Sequence, residues 1–327
     1  MLVERSTDGF RVTVPCKVNL FLEVLGKRTD GYHSLDTVMM AVSLADELEI
    51  SHREDGRLRL SVELPERSGQ SLDEEDLAWT IPADQNNLIL RALERLRVFL
   101  GKPHFGADVR LIKHIPAMAG LGGGSADAAA ALVLGTLLWT EHLKLDQIAT
   151  VASQLGSDVN FFLESHRNSF WLARCTGRGE KVESLQCKKS LHFVVVHPPR
   201  GCGTKQVFDA LRLETSQRVL TNPDKLIQAL GRGDVKTIGG SLANRLEQAA
   251  AGTSFWIDRS RMQLNRYDHH GQCLSGTGSA RFCLCETREQ AEKIANEIRL
   301  QGEMRAYCVQ SWQSPSIEEQ IVRIRNE

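Results

Sequence analysis

Apolar and polar positions alternate from Phe10 to Val14, the period-two signature of a half-buried strand. A proline break follows, and Pro15 to Val24 reads as a second strand. Gly26 to His33 is a loop in which Asp30-Gly31 supplies the turn chemistry. Val38 to Leu44 and Glu47 to Ser51 predict further strands, and Arg57 to Leu64 another with Arg59, Ser61 and Glu63 facing out. The period then switches. Apolar residues recur at helical spacing in LILRALERLRVFL, with Asn86 or Asn87 placed to cap it. Phe105 to Ile112 alternates again, and an alanine-rich run to Trp139 predicts a helix with no polar face. Asp146 to Leu155 predicts a short amphipathic helix, and Ser169 to Ala173 a strand.

The second half repeats the mixture. Phe193 to Val196 is a fully apolar strand, followed by helical patterns at Asp224 to Leu230 and Thr237 to Glu247. Arg281 to Cys285 predicts a strand, Arg288 to Leu300 a helix, and Arg305 to Val309 a terminal strand. Such mixing without repeats predicts an α+β fold. At 327 residues the chain accommodates two domains, divided near Leu185 to Lys189 into 1–186 and 187–327. The acidic, turn-rich stretch Glu66 to Asp76 reads as an exposed insertion.

Charge narrows the function classes. With 40 Lys+Arg against 41 Asp+Glu the net charge is −1, which argues against a protein whose main partner is the nucleic-acid backbone and leaves room for a local basic groove for one nucleotide. MLVERSTDGF has no apolar core of a secretory signal, and Ala128 to Trp139 falls short of the roughly 20 residues that span a bilayer. The expectation is a cytoplasmic enzyme with no membrane partner. The 8 cysteines form no CxxC pair and read as reduced structural thiols. Cys283 and Cys285 fall on one strand face, and His269-His270 near Cys273 is too sparse for a metal set.

The chemistry concentrates in PAMAGLGGGSADAAA, residues 116 to 130. A glycine-rich turn opening onto a helix presents unpaired amides and the positive end of a helix dipole, which suits a polyphosphate. No GxxxxGK[ST] is present, and neither glycine turn completes GxGxxG after a strand, so P-loop and dinucleotide folds are disfavoured. Three more features need the same explanation: Lys17 beside Asn19, Asp158 after Gly156, and the turn Ser275-Gly276-Thr277-Gly278-Ser279.

Together these resemble the three motifs of the GHMP small-molecule kinases: Lys17-x-Asn19, then Pro116 to Ser125, then Ser275 to Gly278. PCKVNLFLEVLGKRTDGYHSLDTVM, NNLILRA and LGSDVNFF extend the resemblance over most of the chain. It implies a two-domain GHMP kinase fold, with a ribosomal protein S5 domain 2-like N-terminal domain and a ferredoxin-like C-terminal domain. It also implies ATP and Mg²⁺ as cofactors, and a monomer or weak homodimer. The phosphates would lie against Pro116, Ala117, Met118, Ala119, Gly120, Leu121, Gly122, Gly123, Gly124, Ser125 and Ala126. Asp158 would take the proton of an acceptor hydroxyl, and Lys17 would pair with it and steady the attacking oxygen. Asn19, Tyr32, His33, Thr204 and Phe208 would bind the substrate, a cytidine diphosphate-linked polyol, with the aromatic rings stacking on the base.

Four residues depart from the family pattern. Ala117 stands for a methionine, Met118 for a glycine, Ala126 for the serine after Ser125, and Asn160 for a proline. Two alternatives stay open at this level. One is a kinase for another alcohol, such as homoserine, mevalonate or a sugar, against which Tyr32-His33 speaks. The other is a non-catalytic nucleotide-binding relative, which Met118 and Ala126 favour.

Overall fold

The computed structural model describes residues 1–64, 79–140, 145–212 and 222–316, with 319, 320, 323 and 324. The expected acidic insertion at 66–76 lies outside the described residues. A short strand β1 (Leu2–Ser6) pairs antiparallel with β2 (Gly9–Lys27), which pairs antiparallel with β3 (His33–Arg53). The sequence pattern split both long strands in two, and the structure joins each. Pro15 does not end β2 because the register shifts there, leaving Ser43 and Leu44 of β3 unpaired opposite it. A bulge accommodates a proline that cannot donate to the ladder. A second shift, between Asn19 and Phe21, closes a short stretch whose side chains are re-aimed.

β3 then pairs with β5 (Gly106–Ile112), which carries β4 (Leu58–Glu63) as a parallel edge. Farther along, β3 pairs with β6 (Leu172–Gly177), which pairs with β7 (Lys181–Ser184). One face of this sheet is covered by α1 (Leu88–Phe99), α2 (Gly123–Trp139), α3 (Leu145–Ser153) and α4 (Val159–Asn168). Asn87 caps α1 by accepting from the Ile89 amide at 2.9 Å. α2 is buried on every side, from Ala126 through Thr136, which is why its sequence has no polar stripe. The helix α4 was not apparent from the pattern, and β6 starts later than expected because Ser169 ends α4 in the left-handed region.

The second sheet is antiparallel in the order β10-β11-β8-β12, formed by β8 (His192–His197), β10 (Gly271–Leu274), β11 (Arg281–Cys285) and β12 (Arg305–Gln310). It carries α10 (Arg288–Gln301) on one face, packed through Ile294, Ala295 and Ile298. This is the ferredoxin-like arrangement expected. The connection from β8 contains α5 (Thr204–Ala210), α6 (Asp224–Arg232) and α7 (Val235–Gly239). The helix expected over Thr237 to Glu247 is broken. It becomes the end of α7, a two-residue strand β9 (Ala243–Asn244), and α8 (Glu247–Thr253), before α9 (Phe255–Leu264). The break follows from Gly239, whose backbone is so close to His270 that a side chain has no room. β9 pairs parallel with β2 at Phe21 and Leu22, so the second half of the chain adds a strand to the first sheet.

Of the buried apolar clusters, the two largest frame the glycine-rich loop. One lies between the first sheet and its helices. The other joins Cys16, Val18 and Leu20 of β2 to Phe193, Val195 and Phe282 of the second sheet, with Ile115, Ala119 and Leu121 of the glycine-rich loop inside it. That loop is therefore held between the two sheets.

Candidate active site

Between its bulges β2 carries Lys17 and Asn19 two residues apart, hence on one face. Both are buried, with Lys17 4% exposed. The Lys17 ammonium donates to Asn19 Oδ1 at 2.6 Å and to the Gly120 carbonyl at 3.0 Å, and lies 3.4 Å from Asp158 Oδ2. Asn19 is oriented in turn by its Nδ2 donating to Thr37 Oγ1 at 2.9 Å, and Thr37 donates to the Phe21 carbonyl. The Lys17 amide donates to the Leu121 carbonyl at 2.9 Å, so the strand and the glycine loop are joined by main chain as well.

The third motif closes on the same point. Ser275 Oγ donates to the Gly120 carbonyl at 2.9 Å, and the Ala280 amide donates to the Ala119 carbonyl. Gly120, at φ 74°, approaches so closely that a Cβ would stand 2.0 Å from the Ser275 carbonyl oxygen. Gly122, at φ 71°, would put a Cβ 3.1 Å from the Lys17 side chain. Asn244 of β9 holds the Leu274 and Gly276 carbonyls at 2.8 and 2.7 Å. Lys17, the glycine loop and the Ser275 turn are thus one assembly.

α2 begins at Gly122 with no side-chain cap and no acidic residue in its first turn. Its leading amides and dipole are left for an anion. Asp158 occupies the N-cap of α4, where a carboxylate ordinarily accepts from the helix amides. Here it makes no such bond; it turns to Lys17 and stays 30% exposed. Gly156 just before it lies against Ser125, a Cβ there being 3.7 Å from Ser125 Oγ.

Sequence reasoning missed the group beneath the loop. Lys113 at the end of β5 is buried between Asp46 and Asp127, 2.8 Å from Asp127 Oδ2 and in direct contact with Asp46. Asp46 Oδ1 also accepts from the His114 and Ile115 amides at 2.6 and 2.8 Å. Burial alone lowers the Lys113 ammonium pKa, but the two carboxyls reverse this and raise it. Burial raises that of Asp127 well above the carboxylate range. A Cβ on Gly123 would stand 3.0 Å from Lys113 Nζ, so this cation lies directly under the start of α2. No spacing in the sequence announces three charges 67 and 14 residues apart.

Three of the departures also find reasons. Met118 adopts φ 54°, the left-handed backbone that a glycine takes without strain, and its side chain is exposed against Gly201. Ala126 is wholly buried in the helical core, so its methyl faces α2's packing and not the cleft. Asn160, in the first turn of α4, donates to Ser153 Oγ at 2.7 Å.

At the start of β3, His33 stacks on Phe208 of α5, with centroids 4.8 Å apart and planes 21° from parallel. Thr204, one turn before Phe208, touches Thr277 Oγ1 at 3.3 Å, which ties α5 to the Ser275 turn. Tyr32 does not join that stack. It is 55% exposed, and the Arg178 guanidinium lies 4.9 Å from its ring centroid. Partial burial and Lys27 hold the His33 imidazole below its usual range, against a smaller opposing effect of Asp209. Elsewhere, all eight cysteines are unpaired thiols, and His270 contacts Glu286 at 2.6 Å. Among the described residues no three His, Cys, Asp or Glu side chains gather as a metal set, and no helix is long and apolar enough to cross a membrane.

Comparison with known proteins agrees with this geometry. Residues 87–166 match the GHMP kinases N terminal domain, and residues 226–303 match the GHMP kinases C terminal domain. The chain is 34% identical over 307 residues to 4-diphosphocytidyl-2-C-methyl-D-erythritol kinase of Rhodopirellula baltica, covering 89% of this chain and 91% of that one. It is 35% identical over 283 residues to the protein of the same name from Pelotomaculum thermopropionicum, covering 86% and 91%. A crystal structure of 4-(cytidine 5'-diphospho)-2C-methyl-D-erythritol kinase superposes with a TM-score of 0.71 at 29% identity, over 92% of this chain and 99% of that one. Homoserine kinase from Cytophaga hutchinsonii superposes with a TM-score of 0.70 at 18% identity, over 96% and 97%, a likeness of fold alone. The chain belongs to the GHMP kinase family, in the group formed by the 4-diphosphocytidyl-2-C-methyl-D-erythritol kinases.

Proposed function

We propose that this chain transfers the γ-phosphoryl group of ATP to the 2-hydroxyl of 4-diphosphocytidyl-2-C-methyl-D-erythritol, a step in non-mevalonate isoprenoid precursor synthesis. In this reading the uncapped start of α2 receives the phosphates, and Ser125 lies beside them. Asp158 takes the hydroxyl proton, and the freed oxygen attacks the γ-phosphorus as the bond to the β–γ bridging oxygen breaks and ADP departs. Lys17, 3.4 Å from Asp158, steadies the charge on the attacking oxygen. Asn19 orients Lys17 and the polyol. Mg²⁺, when bound, neutralises phosphate charge. Ser125 is a hard oxygen donor on that side, and a cation of this kind takes one or two protein ligands and the rest from phosphate and water. Residues 1–186 serve as the nucleotide half and 187–327 as the half that completes the substrate site, in a cytoplasmic monomer or weak homodimer.

One observation supports this acceptor above the others. His33 and Phe208 stack on each other and Tyr32 stands exposed next to His33 in the chain, offering ring faces that a nucleobase can use and that an amino alcohol or sugar does not need. The test is turnover. With ATP, Mg²⁺ and the cytidine substrate the protein should release ADP, and CDP should compete for the acceptor site. Absence of turnover at about millimolar substrate, the upper end of ordinary KM values, would overturn the assignment. Turnover of homoserine or mevalonate without competition by CDP would replace it with a different acceptor.

A further inference from the structure

We infer that Arg178 is the residue that recognises the diphosphate linking base to polyol, and so selects nucleoside diphosphate substrates over shorter nucleosides. The inference rests on the acceptor proposed above. Arg178 sits at the tip of the turn between β6 and β7, where Gly177 and Gly179 take φ of 75° and 114°. The acid nearest in sequence, Glu180, is engaged by the main chain, accepting from the Arg178 amide at 2.5 Å. The guanidinium itself has no carboxylate ion pair among the described residues. Its contacts are the face of Tyr32 and a long approach of Nη2 to the Ser153 carbonyl, 3.5 Å. Asp30 feels the Arg178 charge but is bound by Arg28, at 3.0 Å. A guanidinium carries five donors in a planar fork that matches phosphate oxygens, so nearly all of this one's capacity is unused.

Its position gives that capacity a target. On one side Arg178 touches Tyr32, the chain neighbour of His33, whose ring stacks on Phe208. On the other side its turn rests against the loop that bears the reacting carboxylate. A Cβ on Gly179 would stand 3.3 Å from Ser157 Cβ, and Ser157 precedes Asp158. In the proposed pose, with the base at the His33–Phe208 rings and the hydroxyl at Asp158, the linker would run past this turn. In a cytidine diphosphate-linked polyol that linker is the doubly charged diphosphate. Arginine suits it better than lysine because two parallel N–H groups meet two phosphate oxygens.

The test compares ligands that differ only in the diphosphate. Binding of CDP and of cytidine is measured for the full-length protein and for Arg178→Met and Arg178→Lys, alongside KM for ATP. Arg178→Met should weaken CDP by about 10- to 100-fold, the scale of a charge-assisted hydrogen bond, with cytidine and ATP unchanged. Arg178→Lys should recover part of the loss. Equal weakening of CDP and cytidine would mean that the arginine only props Tyr32, and would overturn the inference, as would no change in either. Failure of the unaltered protein to bind CDP would sink the proposed acceptor and this inference together. Unaltered CDP binding in Arg178→Met alone sinks only the inference.

Discussion

The two ends of the proposed site, one for phosphate and one for base, are built differently. At the phosphate end the polar side chains are held, and all but Asp158 in this set are buried: Lys17 by Asn19, Gly120 and Asp158, the loop by Ser275, and the floor by Lys113 between Asp46 and Asp127. At the base end the groups stand on a turn and a short helix, with Tyr32 more than half exposed and His33 meeting Phe208 across the gap between halves. Phosphoryl transfer gains from fixed donors that need no reorganisation. A base that has to enter and leave needs rings that part. The centroid separation of 4.8 Å leaves no room for a base between His33 and Phe208, so in the proposed reading a base would open that stack or use its outer faces.

The contrast can be broken at the phosphate end with the largest effects. Asp158→Asn should lower kcat by about 10²- to 10⁴-fold, the usual worth of a positioned base, while ATP affinity measured by calorimetry stays unchanged. Lys113→Met should remove about 3–5 kcal/mol of unfolding free energy, the cost of leaving buried carboxyls without their cation, as read by urea titration. At the base end a substitution should divide KM values and leave the fold intact. Phe208→Ala should raise KM for the cytidine substrate about 5- to 150-fold, equivalent to about 1–3 kcal/mol of stacking, with KM for ATP constant. A fold collapse there, or a matching rise for ATP, would erase the distinction between the two ends.

Acid sharpens it further. His33 titrates below an ordinary imidazole, so it is neutral at pH 7 and gains its proton only as pH falls through that depressed range. KM for the cytidine substrate should rise there, later on acidification than a free histidine would dictate, with KM for ATP flat. Asp209→Asn removes a carboxylate that raises the His33 pKa and should move the rise to still lower pH. The smallest effect belongs to Met118→Gly. Relief of a left-handed backbone, about 1 kcal/mol, is offset by the greater freedom of glycine when unfolded. The stability change measured by thermal denaturation should stay within about 1 kcal/mol of zero.

What could be read in advance follows the same division. The glycine turn and Lys17 beside Asn19 stand out because their pattern is local, and α1, β5, β11 and α10 because their periodicity is unbroken, whereas the pairing of Lys17 with Asp158, 3.4 Å away, is expected only from the family resemblance. Pro15 misled because a bulge in the partner strand absorbs it, a property of β3 that β2 cannot announce. Thr237 to Glu247 has helical spacing, yet Gly239 lies against His270 and Ala243-Asn244 find a sheet edge, and both constraints come from distant chain. Asp46, Lys113 and Asp127 are ordinary charges in sequence; only the third dimension brings them together. Arg178 is equally silent until its turn is seen beside Tyr32.

The parallel pairing of Ala243-Asn244 with β2 has a consequence for engineering and descent. Because Asn244 also grips the Leu274 and Gly276 carbonyls, a fragment ended before residue 187 would expose one edge of its own sheet and lose the clamp on the Ser275 turn. Chimeras that exchange residues 187–327 would have to import that two-residue stitch in register. The halves are therefore a lock cut with its key, and new specificities in this scaffold would arise more readily from altered rings and turns than from swapped modules.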